Sequence, residues 1–493
     1  MIIPGNNRLP IDIAPEAPAT WFLVGIGGSG MRSFAEMLAD AGNHVIGMDA
    51  SSSGSFRNRL NSGGKVDVIP WNQLPDWRLW SAVRVVCSLA VSPSDPVLAD
   101  ARRNGVLVQT LPQALGSFLR PMQQICIAGT HGKTTTAGMI WWILHQAGQD
   151  PAGFVGGELC GDLSAARLGS GRTSVVESCE YREAFLELNP QTVVLTGIEP
   201  DHFDCFQDDR TADLAFRRFA EKVPDDGVVI VRSDSPRAIE VARSSHRPVV
   251  SYSLHGRSDW NVLLSSESGR SQNTSARATS TVWKQKFELL SRGRTVAEVR
   301  LQVPGLHNIS NAVAAIIAAH THGVPVAHAV DLISTFPGVR RRFEHRGIWN
   351  GIDLIDDYAH HPTAVAATLN TARAAFPRRR ILAVFEPHQI SRTERLFGDF
   401  AAALSLADES MVLPVLPARE SASAAACCRL AGRLVRRITQ SGGRAFLLAN
   451  LDQVQGRLDH SGRPGDVVVT MGAGRTHLIH DELHRRLLRD SAA

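Results

Sequence analysis

Short apolar runs alternate along this chain with longer stretches in which apolar residues return every three or four positions. "WFLVGIG" gives way to "MRSFAEMLADAG", then to "HVIGMDA", and later come "VRVVCSLAV", "PVLADARRNG" and "VLVQTL". A brief apolar run bounded by glycine or polar residues reads as a buried strand, and the three-to-four period reads as a helix with one apolar stripe. Their alternation predicts a parallel sheet with helices on its faces, a Rossmann-like domain over residues 1–121. The pattern restarts at "QICIAGTHGKTTT" and continues through "TSVVES" and "QTVVLTGIEPDH". This second block, residues 122–335, is expected to be P-loop ATPase-like. Between about residues 255 and 300 it changes character: the polar "SSESGRSQNTSARATS" precedes "TVWKQKFELL" and "TVAEVRLQV", which alternate as antiparallel strands do. That segment reads as a β excursion inside the central domain and not as a linker. "NISNAVAAIIAAHTHG" then closes the block as a helix ended by Gly323. A third alternating block, residues 336–493, opens near "FPGVRRRFEHRG" and runs to "DVVVTMGAG", predicting a second Rossmann-like domain. The expected fold is therefore α/β with three domains.

Length agrees with this division, since 493 residues exceed one ordinary core and imply domains of roughly 100–200 residues each. Hydrophobic residues at 44% and charged residues at 20% are ordinary globular usage. A net charge of +4, with arginine runs as short as Arg378 to Arg380, argues against nucleic-acid binding and is compatible with an anionic small molecule. The N-terminal "MIIPGNNRLPIDIAPEAPAT" lacks the basic-then-apolar order of a signal peptide, and no apolar run reaches about 18 residues. The seven cysteines form no C-x-x-C pair and mostly sit in apolar runs, so they are expected to be reduced and buried. A cytoplasmic protein with neither nucleic-acid nor membrane partners is the expectation.

Two glycine loops carry candidate chemistry. Gly129, Thr130, His131, Gly132, Lys133, Thr134 and Thr135 lie between the strand "QICIA" and a helix expected to start near Thr135. Such a turn aims backbone N–H groups at one point, the lysine adds a charge, and the Thr134 hydroxyl can ligate Mg²⁺. The full G-x-x-x-x-G-K-[ST] pattern is not met, because Ile127 takes the first glycine position. A phosphate cradle for ATP is the reading, against a tight turn with an incidental lysine. Gly25, Gly27, Gly28 and Gly30 form the other loop, with Asp49 about 20 residues further at the end of the next strand. Alone, this matches a dinucleotide fingerprint and suggests an NAD(P) oxidoreductase, but the loop physics requires only a diphosphate.

Taken in order, "GIGGSGM", "GTHGKTTT", "GIEPDHFD", "VPGLHNISNA", "DDYAHHPTAV" and "EPHQISRT" closely resemble the Mur ligases of peptidoglycan synthesis, over about Trp21 to Gly474. Within that family the likeness is strongest to the branch that joins L-alanine to UDP-N-acetylmuramate. The resemblance implies three domains that bind the UDP-sugar, ATP and the amino acid in turn. It places the UDP-sugar at Gly25, Gly27, Gly28, Gly30, Asp49 and Ser88, the last beside "AVSPSDP". Lys133, Glu177 and His202 become catalytic, with Thr134, Glu177 and His202 around Mg²⁺. Asn308, Asn311, Arg342 and Asp357 join the loop around ATP, and His361, His388 and Arg392 surround the amino acid. Each has a plainer alternative: a strand-end carboxylate is often merely solvated, a lone histidine is often structural, Asn308 can cap its helix, and "RRR" can be a solvated run. His360 and His361, taken as strand neighbours, would point to opposite faces. Two departures stand out. The family's "EADESD" is "ESCEYR" here, with Cys179 and Arg182 in place of two aspartates, and Gln389 replaces a usual arginine. A nucleophilic Cys179 is disfavoured, since neighbouring carboxylates raise a thiol pKa. The implied reaction is amide formation through an acyl phosphate, with attachment of a ready-made tripeptide and an idle nucleotide-binding regulator as the alternatives.

Overall fold

The computed structural model describes residues 19–49, 66–71, 74–80, 83–161, 164–264, 269–270 and 283–490. The N-terminal segment weighed as a leader lies outside these, as does the polar stretch at 265–280 apart from residues 269–270.

Three sheets follow one another along the chain. The first contains β1 (Thr20–Val24), β2 (His44–Met48), β3 (Val66–Ile69), β4 (Val83–Cys87) and β5 (Leu107–Thr110), all parallel in the order β3-β2-β1-β4-β5. Strand order reverses between β1 and β4, and a crevice opens there at the carboxyl ends of the strands. Both the Gly25–Gly30 loop after β1 and Ser88 after β4 sit at that crevice, joined by Ser88 N–H donating to Val24 O at 3.0 Å.

The central sheet begins with β6 (Gln123–Ala128), β7 (Ala152–Phe154), β8 (Thr173–Glu177) and β9 (Pro190–Leu195). It continues with β10 (Val228–Arg232), β11 (Val249–Ser253), β12 (Trp260–Leu264), β13 (Gly269–Arg270), β14 (Trp283–Ser291) and β15 (Arg294–Leu301). β6 lies between β8 and β9, so the loop after it emerges at this sheet's own reversal point, flanked by the ends of two parallel strands. The expected antiparallel excursion is present as β14 and β15, and β14 also pairs antiparallel with β12, which makes the excursion a continuation of the main sheet. Helix Lys133–Gln146 is buried from Thr134 to Leu144 because it is wedged against helix Leu306–Thr321. That explains its unstriped sequence, "AGMIWWIL": a helix enclosed on all sides needs no polar face.

The third sheet contains β16 (Glu344–Trp349), β17 (Ile352–Asp357), β18 (Ile381–Phe385), β19 (Glu409–Val412), β20 (Ala445–Leu447) and β21 (Val467–Met471), in the order β16-β17-β21-β18-β19-β20. Only β16 runs antiparallel.

Three expectations change. The loop helix starts at Lys133, two residues before the expected Thr135, because Gly132 at φ +79° already turns the chain into it. His360 and His361 are not strand neighbours: β17 stops at Asp357, and His361 is the N-cap of helix Pro362–Ala375, its side chain accepting from Thr363 N–H. The cysteines are all free, but only Cys87, Cys126 and Cys427 are buried, while Cys179 is exposed. Among the described residues no helix is long and apolar enough to cross a membrane.

Candidate active site

The loop after β6 is built by two backbone constraints. Gly132 lies in the left-handed region, and a Cβ there would sit 2.5 Å from Asn311 Oδ1. Thr130 ties the loop to the end of β9, its hydroxyl donating to Glu199 O at 3.2 Å and accepting from Glu199 N–H at 2.9 Å. Lys133 and Thr134 thus open a helix whose first N–H groups point into the cleft, with Thr135 buried behind them.

Lys133 Nζ donates to Gly129 O at 2.5 Å and to both oxygens of Glu180 at 3.0 and 3.1 Å. Burial alone would raise the Glu180 pKa, but Lys133 and then His202 outweigh it and hold the carboxyl at about 2. Burial would likewise lower the lysine, and Glu180 reverses that, so its pKa is raised and the ammonium is retained. Beside this pair, the Thr134 hydroxyl donates to Glu177 Oε1 at 2.8 Å, and Glu177 Oε2 accepts from Gly156 N–H at 2.7 Å. Arg342 Nη2 donates to the same Thr134 oxygen at 3.1 Å. Of the three consecutive arginines, Arg342 is the one that reaches the loop: Arg340 faces Glu158 at 3.7 Å and Arg341 faces Asp356 at 3.3 Å.

His202, within the loop that follows β9, holds φ +52°, its Nε2 3.6 Å from Glu180 Oε1 and its Nδ1 buried with no hydrogen-bond partner among the described residues. The structure therefore places it with Glu180 and Lys133, while Glu177 stands with Thr134. Asn311 Nδ2 donates to Asn308 Oδ1 at 3.1 Å, and Asn308 Nδ2 donates to Pro304 O at 2.7 Å. The cap of that helix is Gly305, so Asn308 does not cap it. Asp357 is buried and accepts from Phe343 N–H at 2.9 Å and Ala359 N–H at 2.8 Å; burial pushes its carboxyl up to about 6 against the pull of Arg342.

Glu199 meets His131 of its own domain and two side chains of the third domain, Thr363 and His361. Its Oε2 is 3.3 Å from His131 Nε2, accepts from the Thr363 hydroxyl at 2.6 Å, and lies 3.8 Å from His361 Nδ1. Burial, then His131, pushes the His361 pKa down to about 4, so its ring is neutral. Nearby, buried Arg392 Nε donates to Asp201 Oδ1 at 2.8 Å, and its Nη1 lies 3.2 Å from His388 Nδ1. A substrate carboxylate at Arg392 would have to share that guanidinium with Asp201. Gln389, buried at φ +69°, leaves its Nε2 without a partner among the described residues. Motif reading passed over Glu199 and Asp201, although both lie in "GIEPDH" beside His202.

The first-domain loop carries its own constraint. Gly27 N–H donates to Asp49 Oδ2 at 2.7 Å, and a Cβ at Gly27 would stand 2.6 Å from that oxygen. Asp49 thus braces the glycine loop itself. Gly28 caps helix Ser29–Asp40 with no side chain, leaving the first helical N–H groups directed at the crevice, and Gly30 packs near Leu111.

Comparison with known proteins covers all three units. Residues 22–122 match the Mur ligase family catalytic domain, residues 127–319 the Mur ligase middle domain, and residues 341–474 the Mur ligase glutamate ligase domain. The chain is 35% identical over 452 residues to the UDP-N-acetylmuramate–L-alanine ligase of Solidesulfovibrio magneticus, covering 92% of this chain and 94% of that one. It is 36% identical to the enzyme of the same name from Salinibacter ruber, covering 92% and 91%. Among solved structures, the UDP-N-acetylmuramate-alanine ligase of Thermotoga maritima matches with a TM-score of 0.78 at 23% identity, covering 96% of this chain and 100% of that one. A murein peptide ligase from Psychrobacter arcticus matches with a TM-score of 0.70 at 26% identity, covering 95% and 98%. The order of the three sheets and these matches along nearly the whole chain place the protein in the Mur ligase family.

Proposed function

We propose that this protein is a cytoplasmic ATP-dependent ligase that joins L-alanine to the lactyl carboxylate of UDP-N-acetylmuramate, a step in peptidoglycan precursor synthesis. The observation that carries this reading is the convergence on the loop after β6 of Lys133, the Thr134–Glu177 pair and Arg342 from the third domain. Relatives named for this reaction, alike over 92% of the chain, support the choice of substrates.

In this reading the Gly25–Gly30 crevice, with Ser88 and Asp49, takes the UDP-sugar, and Asn308 and Asn311 face the nucleotide. Thr134 and Glu177 offer two hard oxygen donors beside the cradle, a donor set that suits Mg²⁺, while His202, which the resemblance also assigns to the metal, stands instead with Glu180. Bound there, Mg²⁺ would draw charge from the phosphate oxygens. The lactyl carboxylate attacks the γ-phosphorus in line as the bond from that phosphorus to the β–γ bridging oxygen breaks and ADP leaves, and Lys133 Nζ, released from Gly129 O, holds the negative charge that builds on the transferred oxygens. Arg342 and Asp357 bring the third domain over the nucleotide and exclude water. The alanine amine then attacks the acyl carbon, the bond from that carbon to the phosphate oxygen breaks, the amine gives up a proton, and an amide and inorganic phosphate result. His388 and Arg392 mark the acceptor side. The reaction as written needs no protein nucleophile, and Cys179, exposed at its surface, sits beside the Glu180 carboxylate, which disfavours its thiolate.

The test is product detection by mass spectrometry with ATP, Mg²⁺, UDP-N-acetylmuramate and, separately, L-alanine or L-Ala-γ-D-Glu-meso-diaminopimelate. We expect the alanyl product, lost by at least about a hundredfold in Lys133→Ala. Product from the tripeptide alone would reassign the acceptor.

A further inference from the structure

Tyr181 and the departing residue beside it, Arg182, together touch all three domains. The Tyr181 ring is buried and has the Arg419 guanidinium over it at 3.9 Å, with Arg182 at 5.4 Å and the His202 ring at 5.4 Å. Arg419 belongs to the third domain and is held from the side by Asp204 Oδ2 at 3.1 Å. On the other flank, Arg182 Nη1 donates to Leu89 O of the first domain at 3.2 Å, next to the Ser88 crevice. Arg182 and Glu183 hold φ of +52° and +56°, two consecutive non-glycine residues in the left-handed region, a conformation that persists only where surrounding contacts enforce it.

The segment that carries Arg419 is also tied to the acceptor segment, through Leu416 and Glu420 on either side of it. Gln389 N–H donates to Leu416 O and Leu416 N–H to Pro387 O, both at 2.8 Å, while Glu420 accepts from the N–H groups of Ile390 and Ser391. Holding Arg419 therefore holds the backbone that carries His388 and Arg392.

We propose that Tyr181 and Arg182 form an interdomain clasp, with Arg419 as its third-domain partner, that keeps the acceptor segment against the His202 side of the cleft while the acyl phosphate exists. The inference rests on the ligase reading above. Tyr181 is a positioning residue: its ring and the Arg419 stack set where the amine waits. When the clasp opens, water takes the amine's place at the acyl carbon, the carbon–oxygen bond to phosphate breaks, and the carboxylate is regenerated. ATP is then spent as ADP, phosphate and a proton without an amide.

The experiment measures phosphate released per amide formed, and KM for L-alanine, in wild type, Tyr181→Ser, Arg419→Ala, their double variant, Tyr181→Phe and Arg419→Lys. We expect the first two to raise KM for L-alanine about three- to tenfold, as loss of one cation–π contact implies, and to lift the ratio clearly above one. The double variant should be no worse than either single. Tyr181→Phe, which keeps the ring, should stay coupled, and Arg419→Lys should fall between. Ratios of one with unchanged KM in folded Tyr181→Ser and Arg419→Ala would overturn the proposal. Small-angle scattering of wild type and Tyr181→Ser needs no substrate assignment: a larger radius of gyration in the variant supports the clasp even if L-alanine is not the acceptor, and identical curves contradict it.

Discussion

Lys133 and Glu180 show how burial can keep a pair charged: each loses solvation, and each is returned to its ionised form by the other. For Glu180 the folded pKa lies below the unfolded value, so its contribution to stability is full above about 4.3 and fades as pH falls through 2. Acid weakness at milder pH must come from other groups. Burial pushes His307 and His322 down to about 4, so both stay neutral in the fold while the unfolded chain takes up their protons near 6.5. The unfolded state then binds more protons, and stability falls as pH drops from about 6.5 to 4. His322 is far from the cleft chemistry and meets the Thr192 hydroxyl at 3.0 Å. Thermal midpoints should decline between pH 7 and 5 in wild type and decline less in His322→Gln; parallel curves would remove His322 from the account.

At the scale of elements, the strand–turn–helix at β6 was legible because its cues are local: an apolar run, glycines at the turn, and Lys-Thr at the helix start. Gly132 is the sharpest of them. Gly132→Ala combines a left-handed φ with a Cβ aimed 2.5 Å from Asn311 Oδ1, and should raise KM for ATP at least about tenfold while lowering stability by ~1–2 kcal/mol. Wild-type ATP kinetics in the variant, read together with its denaturation curve, would show that the loop tolerates a side chain. The alternating residues of β14 and β15 were equally readable, whereas their annexation to the main sheet was not, because the β12–β14 pairing joins segments across residues that carry no pattern of their own. His361 was misjudged for a related reason. "DDYAHHP" looks like one continuous strand until Pro362 is seen to open a helix with His361 as its cap.

Across the whole molecule, sequence order says little about which side chains meet. Arg342 reaches Thr134 and Thr363 reaches Glu199 across separate sheets, and no spacing rule distinguishes Arg342 from its two neighbours. The resemblance supplied that choice in advance, and the fold supplies its physical reason: loops at strand ends of the central and third sheets face one cleft, the first domain joining its flank through Leu89. "ESCEYR" ran the other way, since the family pattern marked it only as a departure, and the contacts of Tyr181 with Arg419 and of Arg182 with Leu89 give it a role. In the proposed mechanism a carboxylate oxygen of the sugar substrate attacks the γ-phosphorus at this joint site. Incubating the enzyme with ATP, Mg²⁺, L-alanine and UDP-N-acetylmuramate carrying ¹⁸O at both oxygens of its lactyl carboxylate tests it directly. One ¹⁸O is expected in the inorganic phosphate released for each amide formed. Amide formed with unlabelled phosphate, or label recovered in AMP, would contradict it.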